Sequence, residues 1–391
     1  MNIFIIVLAL GIIITTLTFI LTIENGKYGA VKWTSSDSTC SIDATVRKML
    51  DDSGIIKTTN DDWDVYIPCS YNELKKQIDT VPTDKSSNND KPRKIFMIDN
   101  ADELCSKSNV WSNIVRTYGR EMAKNIMPTT YVLTDNKEMN LFEKEYNRQH
   151  LYILKKNIQR QKGLLITDDK NVIMNGRDNG YVVVQELLQN PYLIEGRKIN
   201  LRVYILIVCD KGTITTFLYN DGFVYYTAEK FKKKSLETAP NITTGYIDRK
   251  VYKDNPLTHM DLRHYLDSKN RELTQEEMYI LSKKQKISEY VFSSIYEMLH
   301  NVVKGMDGII CKRDSRLYNN TTFQLLGADV AINEDLEPQL IEINKGPDLG
   351  AKDERDAKLK HSVVKDMLKV LRLFPNDNSK QNDIGGFIKI M

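Results

Sequence analysis

Hydrophobic and polar positions along this chain follow two periods, and the changes of period divide it into segments. Apolar residues recur at helical spacing over 44–50 and over 111–126, where Ile114, Tyr118, Met122 and Ile126 share one side. The same spacing predicts a long helix over 286–303, with Val291, Ile295, Leu299 and Val302 together, and a last helix over 356–372 that ends before Pro375. Strands are expected at 63–67, 94–98, 130–133, 181–186, 199–208, 322–332 and 339–343. Met127-Pro128 stops the second helix before its strand. Polar stretches at 25–43 and 82–91 read as linkers, and 376–391 reads as a flexible tail. Strands in hairpin-like and mixed order with a few helices predict an α+β layered fold rather than a doubly wound sheet. A small α/β domain is expected over 44–150 and a second domain over 151–375.

The first segment stands apart. From Ile3 to Ile23 there is no charged residue, and 21 residues at helical rise span about 31 Å, close to hydrocarbon thickness. A transmembrane anchor is therefore expected over 1–24. A cleaved signal peptide is the alternative, but a basic leading region and a small-residue cleavage site are both missing. The flanking Lys27 and Lys32 point to a single-pass membrane protein with its body on the cytosolic side.

Composition narrows the class. Apolar residues make up 41% and charged residues 27%, so an ordinary globular chain rather than disorder is the default reading. A net charge of +3, from 55 basic and 52 acidic groups, gives no reason to expect nucleic acid. The run Lys230, Lys232, Lys233 and Lys234 reads as a solvated loop face or a steering patch. Cys40, Cys69, Cys105, Cys209 and Cys311 are odd in number and form no CxxC, so neither a zinc site nor a disulfide framework is expected, and a reducing compartment fits. Five scattered histidines give little support to histidine-centred nucleophilic chemistry.

Candidate chemistry lies in polar residues that interrupt apolar strands. Over 196–208, Ile199, Leu201, Val203, Ile205 and Ile207 take one face while Lys198, Asn200, Arg202 and Tyr204 take the other. A solvated strand face would look the same. Near the C-terminus Asp329 sits in an apolar run, and Leu340, Glu342 and Asn344 share a face of the next strand. An unpartnered buried carboxylate is costly, and Asp, Glu and Asn offer the hard oxygens that Mg²⁺ takes alongside substrate phosphates. Acids facing solvent or paired with lysine are the alternative. Over 152–166, Lys155 leaves a strand, a polar loop follows, and Gly163 precedes another strand. That arrangement could fold over phosphates or be an ordinary hairpin.

Read in order, these segments resemble the tubulin–tyrosine ligase-like family of the ATP-grasp superfamily. Tyr152-Ile-Leu-Lys155, Val184-Gln185-Glu186-Leu187-Leu188, Asn190-Pro191-Tyr192-Leu193-Ile194 and Gly196-Arg197-Lys198 through Tyr204 carry the resemblance. Asn241-Ile242-Thr243-Thr244, Phe323 through Asp329 and Leu340-Ile-Glu342-Ile-Asn344 complete it, and the likeness runs over about 44–375. It implies an ATP-grasp fold over 151–375, two α+β subdomains sandwiching ATP, with ATP and Mg²⁺ as cofactors. It also implies ATP-binding roles for Lys155, Gln161, Gly163, Gln185, Glu186, Leu188, Lys198, Asn200 and Thr243, and metal binding by Asp329, Glu342 and Asn344. Arg202, Lys198 and Glu342 are the implied catalytic residues.

The implied reaction joins a free amino acid to a protein or peptide carboxylate through an acyl phosphate. Such chemistry needs positioning and charge stabilisation rather than a protein nucleophile. Departures from the family pattern are Asn200 for an aspartate, Tyr225 for an arginine that meets substrate, Thr244 for an asparagine, Lys156 for a proline and one glycine fewer in the 161–163 loop. Because of them tubulin is not assumed as the acceptor. The alternatives are a membrane-anchored nucleotide-binding scaffold and a small-molecule ligase of the same superfamily.

Overall fold

The computed structural model describes residues 30–36, 40–71, 74–81, 92–158, 163–374 and 383–391. It is a mixed α/β, sheet-rich fold. In chain order the elements are β1 (Lys32–Thr34), α1 (Ala44–Asp52), β2 (Ile56–Lys57), β3 (Val65–Tyr66), α2 (Leu74–Thr80) and β4 (Lys94–Ile95). Then come α3 (Asp102–Cys105), α4 (Lys107–Tyr118), α5 (Arg120–Ile126), β5 (Thr130–Val132), α6 (Asn136–Glu145), β6 (Tyr152–Lys155), β7 (Leu164–Thr167), α7 (Lys170–Met174) and β8 (Val183–Glu186). The rest are β9 (Leu193–Ile194), β10 (Arg197–Asp210), β11 (Thr213–Thr227), β12 (Thr243–Thr244), α8 (His259–Leu266), α9 (Gln275–Ser282) and α10 (Ile287–Lys304). They are followed by β13 (Thr321–Ile332), β14 (Pro338–Asn344), α11 (Glu354–Val370) and β15 (Phe387–Lys389).

Two sheets organise the chain. The larger runs β12-β11-β10-β13-β4-β3-β1-β2, with β14 on β13, β15 on β11 and β9 on β10. The smaller is antiparallel, β5-β8-β6-β7. Long alternation makes β10 and β11 a hairpin closed by Lys211 and Gly212, both at positive φ, as a tight two-residue turn requires. Its apolar face, Ile199, Leu201, Val203, Ile205 and Ile207, is completely or almost completely buried. Helix α10 lays Val291, Ile295, Leu299 and Val302 into this core, as their spacing predicts.

Several expectations are corrected. The helix expected over 111–126 is two helices, because Gly119 takes φ +79 and separates α4 from α5. Part of the expected tail is held: Phe387–Lys389 pairs antiparallel with Phe217–Tyr219 of β11. Cys40 pairs with Cys69 and Cys209 with Cys311, at Cα separations of 5.6 and 5.5 Å, leaving Cys105 free. The partners lie 29 and 102 residues apart in sequence, so only the tertiary fold brings them together.

The expected anchor over 1–24 lies outside the described residues, as do positions 25–29 and 37–39 of the first linker and the whole 82–91 linker. Among the described residues no helix is long and apolar enough to cross a membrane. The expectation of a single-pass membrane protein with a cytosolic body is withdrawn on that finding.

Candidate functional site

One cavity of about 430 Å³ opens between the two sheets. Strand periodicity aims residues into it. Lys198, Asn200 and Arg202 project from β10, and Asp329 lies directly opposite Arg202 on β13. Glu342 on β14 is in turn opposite Asp329, and Asn344 is opposite Gly327. The smaller sheet contributes Lys155 from β6, Gln185 and Glu186 from β8, and Leu188 just beyond. Thr243 comes from β12, in a turn anchored by buried Asn241, whose side-chain amide donates to Ser235 O and Glu237 O at 2.8 Å. Eleven of the residues singled out in the sequence thus line one space: Lys155, Gln185, Glu186, Leu188, Lys198, Asn200, Arg202, Thr243, Asp329, Glu342 and Asn344. Gly163 does not line it. It closes the β6–β7 hairpin at φ +72, and its carbonyl accepts from Lys156 N at 2.9 Å. Gln161 lies outside the described residues.

The polar residues are deeply placed. Lys155 is 6% exposed, Lys198 5% and Arg202 9%. Lys155 Nζ donates to Gln185 Oε1 at 2.7 Å, and Gln185 Nε2 donates to Thr130 Oγ1 at 2.8 Å. The Gln185 side chain is therefore occupied in orienting Lys155. Burial lowers the Lys155 pKa to about 8, against the pull of Glu342 and Asp329 and with the help of Lys107. Burial and then the Lys155 charge lower Lys198 to about 8 as well. Lys198 has no ion pair or side-chain hydrogen bond among the described residues.

On the opposite wall Arg202 grips Asp329 with two bonds, Nε to Oδ1 at 2.7 Å and Nη2 to Oδ2 at 3.1 Å. Burial raises the Asp329 pKa, and although Arg202 opposes this, the facing Glu342 adds to it. Burial also pushes Glu342 upward, but Lys107, Lys155 and Arg202 together hold it below the ordinary carboxylate range. The two carboxylates titrate as a pair in which Glu342 ionises first. Asn200 Oδ1 is buried with no hydrogen-bond partner among the described residues. Tyr204, the fourth residue on the polar side of β10, is fully buried, and its hydroxyl also has no partner among the described residues.

Four contributors escaped sequence reasoning. Lys107, at the start of α4, reaches within 3.7 Å of Glu342. Asp348 and Lys352 follow β14 in a loop, and Tyr246 follows β12. Asp348 and Lys352 carried one usable signal, since their loop comes directly after the carboxylate strand. Lys107 carried none.

Among the described residues no three His, Cys, Asp or Glu side chains gather into a metal cluster. The oxygen set is two carboxylates and a side-chain amide. That suits a cation which completes its coordination from a ligand's phosphates and water, as Mg²⁺ does.

Comparison with known proteins agrees with the strand motifs. The family model for the tubulin-tyrosine ligase family matches residues 85–382. The chain is 29% identical over 208 residues to the probable tubulin polyglutamylase TTLL9 of Rattus norvegicus, covering 52% of this chain and 41% of that protein. It is 28% identical over 299 residues to the tubulin polyglutamylase TTLL7 of Xenopus tropicalis, covering 71% and 31%. To the probable tubulin polyglutamylase ttll-9 of Caenorhabditis elegans it is 21% identical over 369 residues, covering 89% and 83%. The chain spans less than half the length of the rat and frog proteins. Because the matched region includes every site-bearing strand from β6 to β14, the chain belongs to the tubulin-tyrosine ligase family, a family of ligases.

Proposed function

We propose that the cavity binds ATP with Mg²⁺ between two ATP-grasp subdomains, and that the chain joins a free amino acid to a protein or peptide carboxylate. The supporting observation is the convergence of Lys107, Lys155, Lys198 and Arg202 on a facing carboxylate pair. A buried cation such as Lys198, without an ion pair among the described residues, costs folding free energy that an anionic ligand offsets.

In this reading the adenine rests against the strip from Glu186 to Leu188, with Ile153, Leu164 and Ile341 supplying apolar walls. Lys155, held by Gln185, and Lys198 neutralise the α- and β-phosphates. Asp329, Glu342 and Asn344 would hold Mg²⁺, with the Asn200 carbonyl and Thr243 nearby as further polar groups. Bound there, Mg²⁺ would offset negative charge on the β- and γ-phosphates.

An oxygen of the acceptor carboxylate attacks the γ-phosphorus. The bond from that phosphorus to the bridging oxygen breaks, and ADP leaves with the electron pair. Arg202 stabilises charge on the transferred group, its guanidinium already fixed by Asp329. The deprotonated amine of the amino acid then attacks the acyl carbon, the bond from that carbon to the phosphate oxygen breaks, and phosphate leaves with the electron pair and takes up the proton that the nitrogen gives up as the amide forms. Lys107 holds Glu342 ionised throughout. Tubulin, the protein named in the relatives' descriptions, is the first acceptor to test.

The test is Glu342→Gln in the full chain. Mg-ATP turnover with mixed amino acids and acceptors should vanish while the far-UV circular dichroism is unchanged. Wild-type-like turnover in this variant would falsify the assignment. Tyr225 in place of the family's arginine favours a second reading, a nucleotide-binding scaffold. Tight ATP binding without acceptor-stimulated ADP release would establish that reading instead.

A further inference from the structure

The end of the cavity beyond Arg202 has its own charge pattern, which the nucleotide reading does not use. Lys352 Nζ donates to Gly245 O at 2.6 Å, lies 4.2 Å from the Tyr246 ring centroid, and has no ion pair among the described residues. Asp348 has no ion pair among them either, and its carboxylate accepts from Gly350 N at 3.0 Å. The other charges around this end are already matched. Arg202 is held by Asp329, Lys360 by Asp356 at 2.8 Å, and Arg249 by Asp353. Lys352 and Asp348 are thus a cation and an anion without an ion pair among the described residues at this end, near enough to attract each other, and together they are the complement of the backbone zwitterion of an amino acid.

Tyr225 lines the same end of the cavity. Its ring stacks parallel to Phe223 at 6.3 Å, and the Arg202 guanidinium lies 5.3 Å from its centroid. A Cβ added at Gly245 would stand 3.3 Å from Tyr225 Cε1 and 2.9 Å from Lys352 Nζ, so tyrosine, glycine and lysine close one corner of the cavity. A donor with a side-chain carboxylate needs a second free cation at this corner, and the corner offers a phenol. Burial pushes the Tyr225 pKa up to about 12, so that phenol is neutral at physiological pH.

Resting on the ligase reading above, we infer that the donor is an amino acid with an uncharged side chain, its carboxylate on Lys352, its amine beside Asp348 and its side chain against Tyr225. This departs from glutamate, the donor that the relatives' names imply.

The test is calorimetry on the full chain saturated with Mg-AMP-PNP, titrated with glycine, alanine, serine, tyrosine, lysine, aspartate and glutamate. At least one neutral amino acid should bind about tenfold or more tightly than glutamate, aspartate or lysine. Tyr225→Arg should raise glutamate affinity by about tenfold and narrow that ratio. The inference is overturned if a charged amino acid binds as tightly as the best neutral one, or if the nucleotide complex binds none of the seven. Failure of AMP-PNP itself to bind removes the ligase reading first, and this inference with it, so the two failures are told apart.

Discussion

Lys198→Met separates what the site costs from what it does. Lys198 is 5% exposed, and burial with the Lys155 charge lowers its pKa from 10.5 to about 8. A tenfold change in a proton's dissociation constant is worth about 1.4 kcal/mol, so keeping this ammonium in the folded, ligand-free protein costs about 3 kcal/mol at pH 7. Between about pH 8 and 10.5 the unfolded chain binds this proton and the folded protein does not. The wild-type protein therefore gains stability as pH rises through that window, and the penalty is fully present below it.

Methionine has similar length and no charge. The variant should be more stable than wild type at pH 7 by up to about 3 kcal/mol in urea unfolding, with the difference shrinking by pH 10. Saturating Mg-ATP should reverse the order, because a ligand stabilises the fold by its binding free energy and the variant has lost a phosphate partner. A variant less stable than wild type at pH 7 without ligand, or one stabilised by Mg-ATP as much as wild type, would refute the placement of an unpaired cation here.

Other outcomes follow from the same geometry. Lys155 and Lys198 both titrate near pH 8 in the free protein, and a bound polyanion raises both values. Nucleotide affinity should therefore fall as pH rises above about 8, with proton uptake on binding visible as a buffer-dependent calorimetric enthalpy. Glu277 is fully buried and receives Arg271 at 2.8 and 2.9 Å and the Tyr192 hydroxyl at 2.8 Å, so Glu277→Ala should lower stability by about 3–5 kcal/mol in urea unfolding. A Cβ at Gly222 would overlap the Arg202 carbonyl oxygen and the His259 ring, so Gly222→Ala should cost about 3 kcal/mol and weaken nucleotide binding by shifting β10. Thiol titration of the denatured, non-reduced chain should find one free cysteine, Cys105, and two or more would contradict the pairings.

What could be read from the sequence depended on whether a residue's meaning sits in its own strand or in a partner. β10 shows its polar strip in its own alternation, so Lys198, Asn200 and Arg202 were visible one by one, and β14 showed Glu342 and Asn344 in the same way. That Asp329 would be clamped by Arg202 and face Glu342 depends on two strand registers, and no local pattern encodes those. The pairing nevertheless changes the chemistry, because Arg202 shares its charge with Asp329 while Lys198 has no ion pair among the described residues. Lys107 was invisible, and Lys352 was marked only by its place after the carboxylate strand, for a related reason. One begins a helix and the other lies in a loop, so neither interrupts an apolar run, and only the fold turns them inward. The disulfides follow the same rule, with partners 29 and 102 residues apart. The residues hidden from sequence reasoning are thus concentrated at the donor end of the cavity, where Asp348, Lys352 and Tyr246 come from loops. Substitutions at that end should alter which amino acid is accepted, and substitutions on β10, β13 and β14 should alter whether ATP is used at all.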